Sequence, residues 1–194
     1  LPQTPLSRIM TTEGRNAPPT RLVHTSGVVT HADSRHIFIQ DGTDAMRVIP
    51  KDRVDLQPGD LVEVAGLAEP DGLAPKFAQA YVRRVGEGRL PEARPIELRM
   101  MDSAVTRIGS DGIRVTVDAT LMGRSFNENV QILELRNEEV DEVFYAYLPP
   151  QPDILEMIPI GSVIRLEGVF KARLDNVPDF GQVVTSFEIY LNST

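Results

Sequence analysis

Pro58-Gly59-Asp60-Leu61-Val62-Glu63-Val64-Ala65-Gly66 and Ile160-Gly161-Ser162-Val163-Ile164-Arg165-Leu166-Glu167-Gly168 are one pattern written twice. In each, a glycine precedes an alternating run and a second glycine, seven residues on, closes it. Apolar and polar residues taking turns put one side of a strand against a core and the other toward water.

Reading outward from the first copy, Leu22 to Thr30 is another such run, and its Gly27 marks a bulge or sharp bend. His36-Ile37-Phe38-Ile39-Gln40, Asp41-Gly42 and Ala45-Met46-Arg47-Val48-Ile49 read as a hairpin, because Asp-Gly accepts the positive φ that a tight turn imposes. Pro50 to Leu56 is read as one helical turn, and Ala80 to Val85 as a fifth strand. Five short strands, a bent first one and a small helix between the third and fourth describe an OB-type Greek-key barrel.

Gly86 to Pro95 reads as a linker. Leu98, Met101, Val105 and Ile108 then recur at helical spacing, which predicts a short amphipathic helix. After it the first pattern returns: Ile113 to Leu121, Val130 to Leu135, Val143 to Leu148 and Val183 to Leu191 are strands, and Asp153 with Glu156 resembles a capping box. From Gly27 to Gly59 is 32 residues, and from the matching Ala119 to Gly161 is 42, so the second copy has longer hairpin loops. The expected fold is all-β: two tandem OB-type five-stranded Greek-key barrels with short helices, residues 1–92 and 93–194.

Composition narrows the chemistry. The 194 residues include no cysteine, which excludes disulfides, thiolate zinc sites and a cysteine nucleophile. Residues 1–94 hold 12 Lys and Arg against 12 Asp and Glu, whereas residues 95–194 hold 8 against 16. Phosphate backbones are bound by clustered cations, and neither half has an excess of them, so nucleic acid is disfavoured as a partner. His31 and His36 with Asp33 match no known metal-ligand spacing, and the acidic run Glu138 to Glu142 has no glycine for a Ca²⁺ loop. Gly86-Glu87-Gly88 lacks the third glycine of a dinucleotide site, and no serine sits in a nucleophile elbow. The reading is a non-enzyme without cofactor or metal.

The open side of strands two and three is where such a barrel takes a ligand. Alternation turns Ile37, Ile39, Met46 and Val48 inward and leaves Phe38, Gln40 and Arg47 outward. An exposed Phe beside an Arg can stack a planar ring and bind an anion; the alternative is that Phe38 lies under a loop or the neighbouring domain. In the second copy Leu133, Leu135, Phe144, Ala146 and Leu148 turn inward, and Ile132, Glu134, Arg136, Tyr145 and Tyr147 outward. The two tyrosines either bind a sugar or a partner, or pack on each other across the sheet.

Gly27-Val28-Val29-Thr30, Ile37 to Thr43 and Pro58 to Gly66 resemble the repeats in extracytoplasmic sensor regions of bacterial two-component histidine kinases. That resemblance implies a tandem periplasmic module, tethered to the membrane in a longer protein, that binds a small ligand or a protein partner for signal transduction. The strand-turn-strand around Phe38 is also similar to anticodon-binding barrels of aminoacyl-tRNA synthetases, which implies base contacts at Phe38 and Arg47. Three functions are therefore expected in turn: a non-enzymatic sensor or interaction module, a single-stranded nucleic-acid-binding protein, and an assembly domain.

Overall fold

The computed structural model describes residues 1–10, 22–33, 36–42, 44–71, 74–96, 110–127, 129–137, 141–150, 155–177 and 181–192. They form two compact units, Leu1–Glu92 with Asp111–Ile113, and Ala93–Ser110 with Arg114–Thr194.

The first unit is built from β1 (Leu22–Ala32), β2 (Ile37–Asp41), β3 (Asp44–Pro50), β4 (Asp60–Asp71) and β5 (Ala74–Glu87). They close in the order β1-β2-β3-β5-β4, with β4 returning antiparallel to β1 and β3 running parallel to β5. That is the OB topology, and closure leaves no strand edge unpaired. β1 serves both ends of the sheet: residues 22–28 pair with β4, and residues 28–32 pair with β2, with an irregularity in that ladder between Val29 and His31. Ile37, Ile39, Met46, Val48, Val62, Val64 and Phe77 fill the interior, as alternation requires.

The helix expected over Pro50 to Leu56 is absent. Residues 51–59 are irregular, because Lys51, Asp52, Arg53 and Asp55 all face solvent and leave only Val54 and Leu56 as an apolar side. The barrel is plugged instead by α1 (Leu6–Met10), whose Leu6 and Ile9 join the core.

The second unit repeats the plan with β7 (Arg114–Asn127), β8 (Val130–Asn137), β9 (Glu142–Leu148), β10 (Val163–Val177) and β11 (Gly181–Leu191). The order β7-β8-β9-β11-β10 is closed by β10 on β7, and β9 pairs parallel with β11. A two-residue strand, β6 (Arg94–Pro95), adds parallel to β7. A single 3-10 turn, Leu155–Met157, stands in the β9–β10 connection where a short helix was expected. The predicted helix over Leu98 to Ile108, Asp153 of the capping box and Glu138 to Val140 of the acidic run lie outside the described residues.

The duplication extends to single hydrogen bonds. Gly59, at φ 95°, donates its N–H to the Val29 carbonyl at 2.8 Å, and Gly161, at φ 89°, donates to Leu121 at 2.8 Å. Val29 and Leu121 are the residues that the offset Gly27-to-Ala119 would align. Within each copy the residue after the glycine, Asp60 or Ser162, closes a turn by donating to a carbonyl three residues back, at 3.1 Å in both. The closing glycines are approached closely as well. A Cβ on Gly66 would lie 3.0 Å from Ala80, and one on Gly168 would lie 2.5 Å from the Tyr190 carbonyl oxygen.

Three outcomes follow for stability. Gly168→Ala forces the β10–β11 backbone apart and costs about 2–3 kcal/mol, as overpacking does. Gly86→Ala, whose Cβ would meet nothing within 4 Å, leaves the melting curve unchanged. Buried Asp60 accepts from Arg84 Nε at 2.5 Å and from the Gln57 N–H at 2.9 Å, and these bonds, Arg84 first, hold its carboxyl below the ordinary range. A carboxyl lowered in the folded state stabilises above its unfolded pKa of about 3.9 and loses that contribution as pH falls through the folded value. Urea titrations from neutral to acid pH therefore show wild type losing its advantage over Asp60→Asn as the pH drops below about 4.

Candidate functional site

The outer side of β2 and β3 in the first barrel is closed. Phe38 is 1% exposed and Gln40 2%, although neither belongs to the barrel interior. Phe38 stands opposite Arg47, and Gln40 opposite the buried Ala45. An apolar outer pair such as Phe38 and Ala45 needs cover, and residues 111–113 supply it. A Cβ on Gly112, at φ 82°, would be 3.2 Å from the Ala45 Cβ and 3.6 Å from Phe38 Cδ1, so glycine suits both the turn and the close approach. Gln40 Nε2 donates to the Gly42 carbonyl at 2.9 Å, which ties it to its own hairpin. Arg47 is half-buried. The stacking ring expected at Phe38 is thus under the chain's own cover, the alternative the sequence had left open.

The rings of His31 and His36 lie 6.3 and 6.4 Å from that of Phe38. His31 Nε2 and His36 Nδ1 each stand 3.4 Å from Asp33 Oδ2, while Asp33 Oδ1 accepts the His36 backbone N–H at 2.5 Å. One carboxylate therefore braces the β1–β2 turn. Among the described residues, no three His, Asp or Glu side chains are grouped to hold a metal.

The equivalent side of the second barrel is open. On β8, Glu134 and Arg136 face solvent, and on β9 Val143 and Tyr145 do, with Tyr145 38% exposed. Tyr147 is half-buried because its ring stacks on Tyr190 of β11, centroids 5.4 Å apart and planes 22° from parallel. Glu188, also on β11, accepts from the Tyr147 hydroxyl at 3.2 Å and the Tyr190 hydroxyl at 2.9 Å. Arg173 on β10 pairs with the same carboxylate at 3.4 Å, and Lys171 stands opposite Glu188 across the strands. Burial first, and then Glu188, pushes the Tyr147 phenol above its ordinary value. Arg136 pairs with Asp141. The result is one exposed ring, Tyr145, beside the half-buried Tyr147, which rests on the buried Tyr190, and the three are edged by Arg136, Lys171 and Arg173.

Of the residues singled out in the sequence, Tyr145 and Tyr147 come together on this surface, whereas Phe38 and Gln40 do not reach solvent. Tyr190, Glu188, Lys171 and Arg173 were missed. The parallel β9–β11 pairing brings Tyr190 to Tyr147 from some 40 residues away. The available signal was alternation: Phe187, Ile189 and Leu191 turn inward, which sets Glu188 and Tyr190 on the other side of β11, where the stacked Tyr147 leaves Tyr190 buried, 7% exposed.

No protein-family model and no curated protein matches the chain. Among solved structures it is similar to a murine DNA-binding protein bound with double-stranded DNA, at 12% identity and TM-score 0.40, covering 86% of this chain and 90% of that one. It is similar to the Ifi202 HINa domain in complex with 20-bp double-stranded DNA at 8% and 0.39, covering 88% and 91%. It is similar to fission yeast Pot1 with single-stranded DNA at 12% and 0.31, covering 90% and 79%. These three DNA complexes correct two expectations: the sensor module that binds a small ligand or protein in an extracytoplasmic signalling protein, and nucleic acid as a disfavoured partner. At such scores the likeness carries no residue-level information, and the site has to be read from this chain's own surface.

Because Phe38 is buried, Phe38→Ala acts on stability: chemical denaturation shows a loss of about 3–5 kcal/mol, as for other buried rings. A spectrophotometric titration shows the Tyr147 phenol ionising above the ordinary value of about 10, and Tyr147→Phe removes that ionisation.

Proposed function

We propose that this chain is a non-enzymatic single-stranded nucleic-acid-binding protein that uses the outer side of β8, β9 and β11. The observation that carries this reading is Tyr145, exposed on β9 beside the half-buried Tyr147, with Arg136, Lys171 and Arg173 around them. Unpaired bases present flat faces that stack on such rings whatever their sequence. A duplex hides those faces, and a sheet surface without a protruding helix or ribbon does not enter the major groove. Single strands are therefore the form that this surface fits.

Charge shapes the expected behaviour. The chain carries −8 overall, and Glu134, Asp141 and Glu188 sit among the three cations of the face. Stacking rather than phosphate attraction dominates, so salt dependence is shallow: three phosphate contacts contribute a slope of about −2 in log K against log salt. Fluorescence anisotropy with a labelled single-stranded oligothymidylate tests this. Wild type binds at low salt, and Tyr145→Ala loses about 5- to 150-fold in affinity, the 1–3 kcal/mol of one stacked base. Absence of binding at low salt, or unchanged affinity in Tyr145→Ala, overturns the reading.

A further inference from the structure

The first barrel carries cations along a different line, the parallel seam between β3 and β5. Arg47 lies opposite Phe38 on β2 and beside Lys76 on β5, so both residues belong to the outer side. Further along, the Lys51 N–H donates to the Ala80 carbonyl at 2.8 Å. Ala80 points into the core, so Tyr81 points out, and it is 58% exposed. Lys51 Nζ lies 4.8 Å from the centroid of that ring and 2.6 Å from its hydroxyl. Arg83, two residues on and 75% exposed, pairs with Glu63 at 2.6 Å. Arg53 stands on the exposed loop after Lys51, and both line a recess of about 780 Å³.

The paired seam runs from Lys76 to Ala80, about 13 Å at a strand's rise of 3.3 Å per residue, room for a few nucleotides. The hydrogen bond to Tyr81 raises the pKa of Lys51 and keeps it an ammonium. Carboxylates stand among these cations: Asp33, Asp52 and Asp55 line the recess with Lys51 and Arg53, Glu69 lies opposite Lys76, and Glu63 pairs with Arg83. An exposed ring interleaved with cations is the combination that holds a single strand: a base on the ring and phosphates on the charges.

We propose that the β3–β5 seam of the first barrel is a second contact site for single-stranded nucleic acid, with Tyr81 stacking a base and Lys51, Arg53 and Lys76 holding phosphates. The proposal rests on the chain binding single strands at all, and it places a contact on the copy whose β2–β3 side is closed.

Anisotropy with the same oligothymidylate separates the two sites. Lys51→Gln with Arg53→Gln reduces affinity about tenfold and makes the salt slope shallower by about 1.4, two cations at 0.7 each. Tyr81→Ala weakens binding and leaves the slope unchanged. Should Lys51→Gln disturb the β3–β5 pairing, Arg53→Gln alone reads out a slope change of about 0.7. If the seam variants bind like wild type while Tyr145→Ala binds weakly, the seam proposal is overturned and the second-barrel reading stands. If the seam variants weaken binding and Tyr145→Ala does not, the reverse holds. Failure of wild type to bind at low salt overturns both.

Discussion

Each half of this chain depends on a parallel pairing between its third and fifth strands. β3 lies on β5 and β9 lies on β11, and only then can the fourth strand return to the first and close the sheet. Closure gives every strand one dry side and one wet side, which is why apolar residues fall at every second position in both copies. It also places strict demands at the entry to the fourth strand. Gly59 and Gly161 hold a positive φ there, and each ties its N–H to the residue at the matching point of the first strand.

With the interiors fixed in this way, the copies diverged on their outer sides. The first barrel has Phe38, Gln40 and Ala45 on β2 and β3, a surface that solvent does not tolerate, and residues 111–113 cover it. The second has Glu134, Arg136, Val143 and Tyr145 on the equivalent strands, a mixture that remains in water. One duplicated architecture therefore offers its usual ligand face in one copy only. The fold permits that face and the side chains decide whether it is used.

The interior of both barrels was legible because alternation is a local signal. Ile37, Ile39, Met46 and Val48, and Leu133, Leu135, Phe144 and Ala146, all turn as their spacing says. The second copy is ten residues longer between matching points, since Val29 and Leu121 accept the same hydrogen bond from glycines displaced by that amount. The expected longer hairpin loop after β7 is instead a longer ladder, in which Ser125 to Asn127 pair with Val130 to Ile132. What stayed hidden depends on distant contacts. Phe38 reads as exposed until a segment some 75 residues away is laid on it, and Tyr190 joins Tyr147 only through a parallel pairing. The plug at Leu6 and Ile9 stands in for a helix that segment 51–56 does not form, with only Val54 and Leu56 to pack on the core. Net charge misled for a related reason: it averages over a surface on which rings and cations are gathered locally.

Hydroxyl-radical footprinting read by mass spectrometry, with and without oligothymidylate, tests most directly whether one ligand face is shut and the other open. The account predicts that Phe38 stays unmodified in both states, while Tyr145 is modified in the free protein and protected in the complex. Modification of Phe38 in the free protein that disappears on binding, with Tyr145 unaffected, would contradict it.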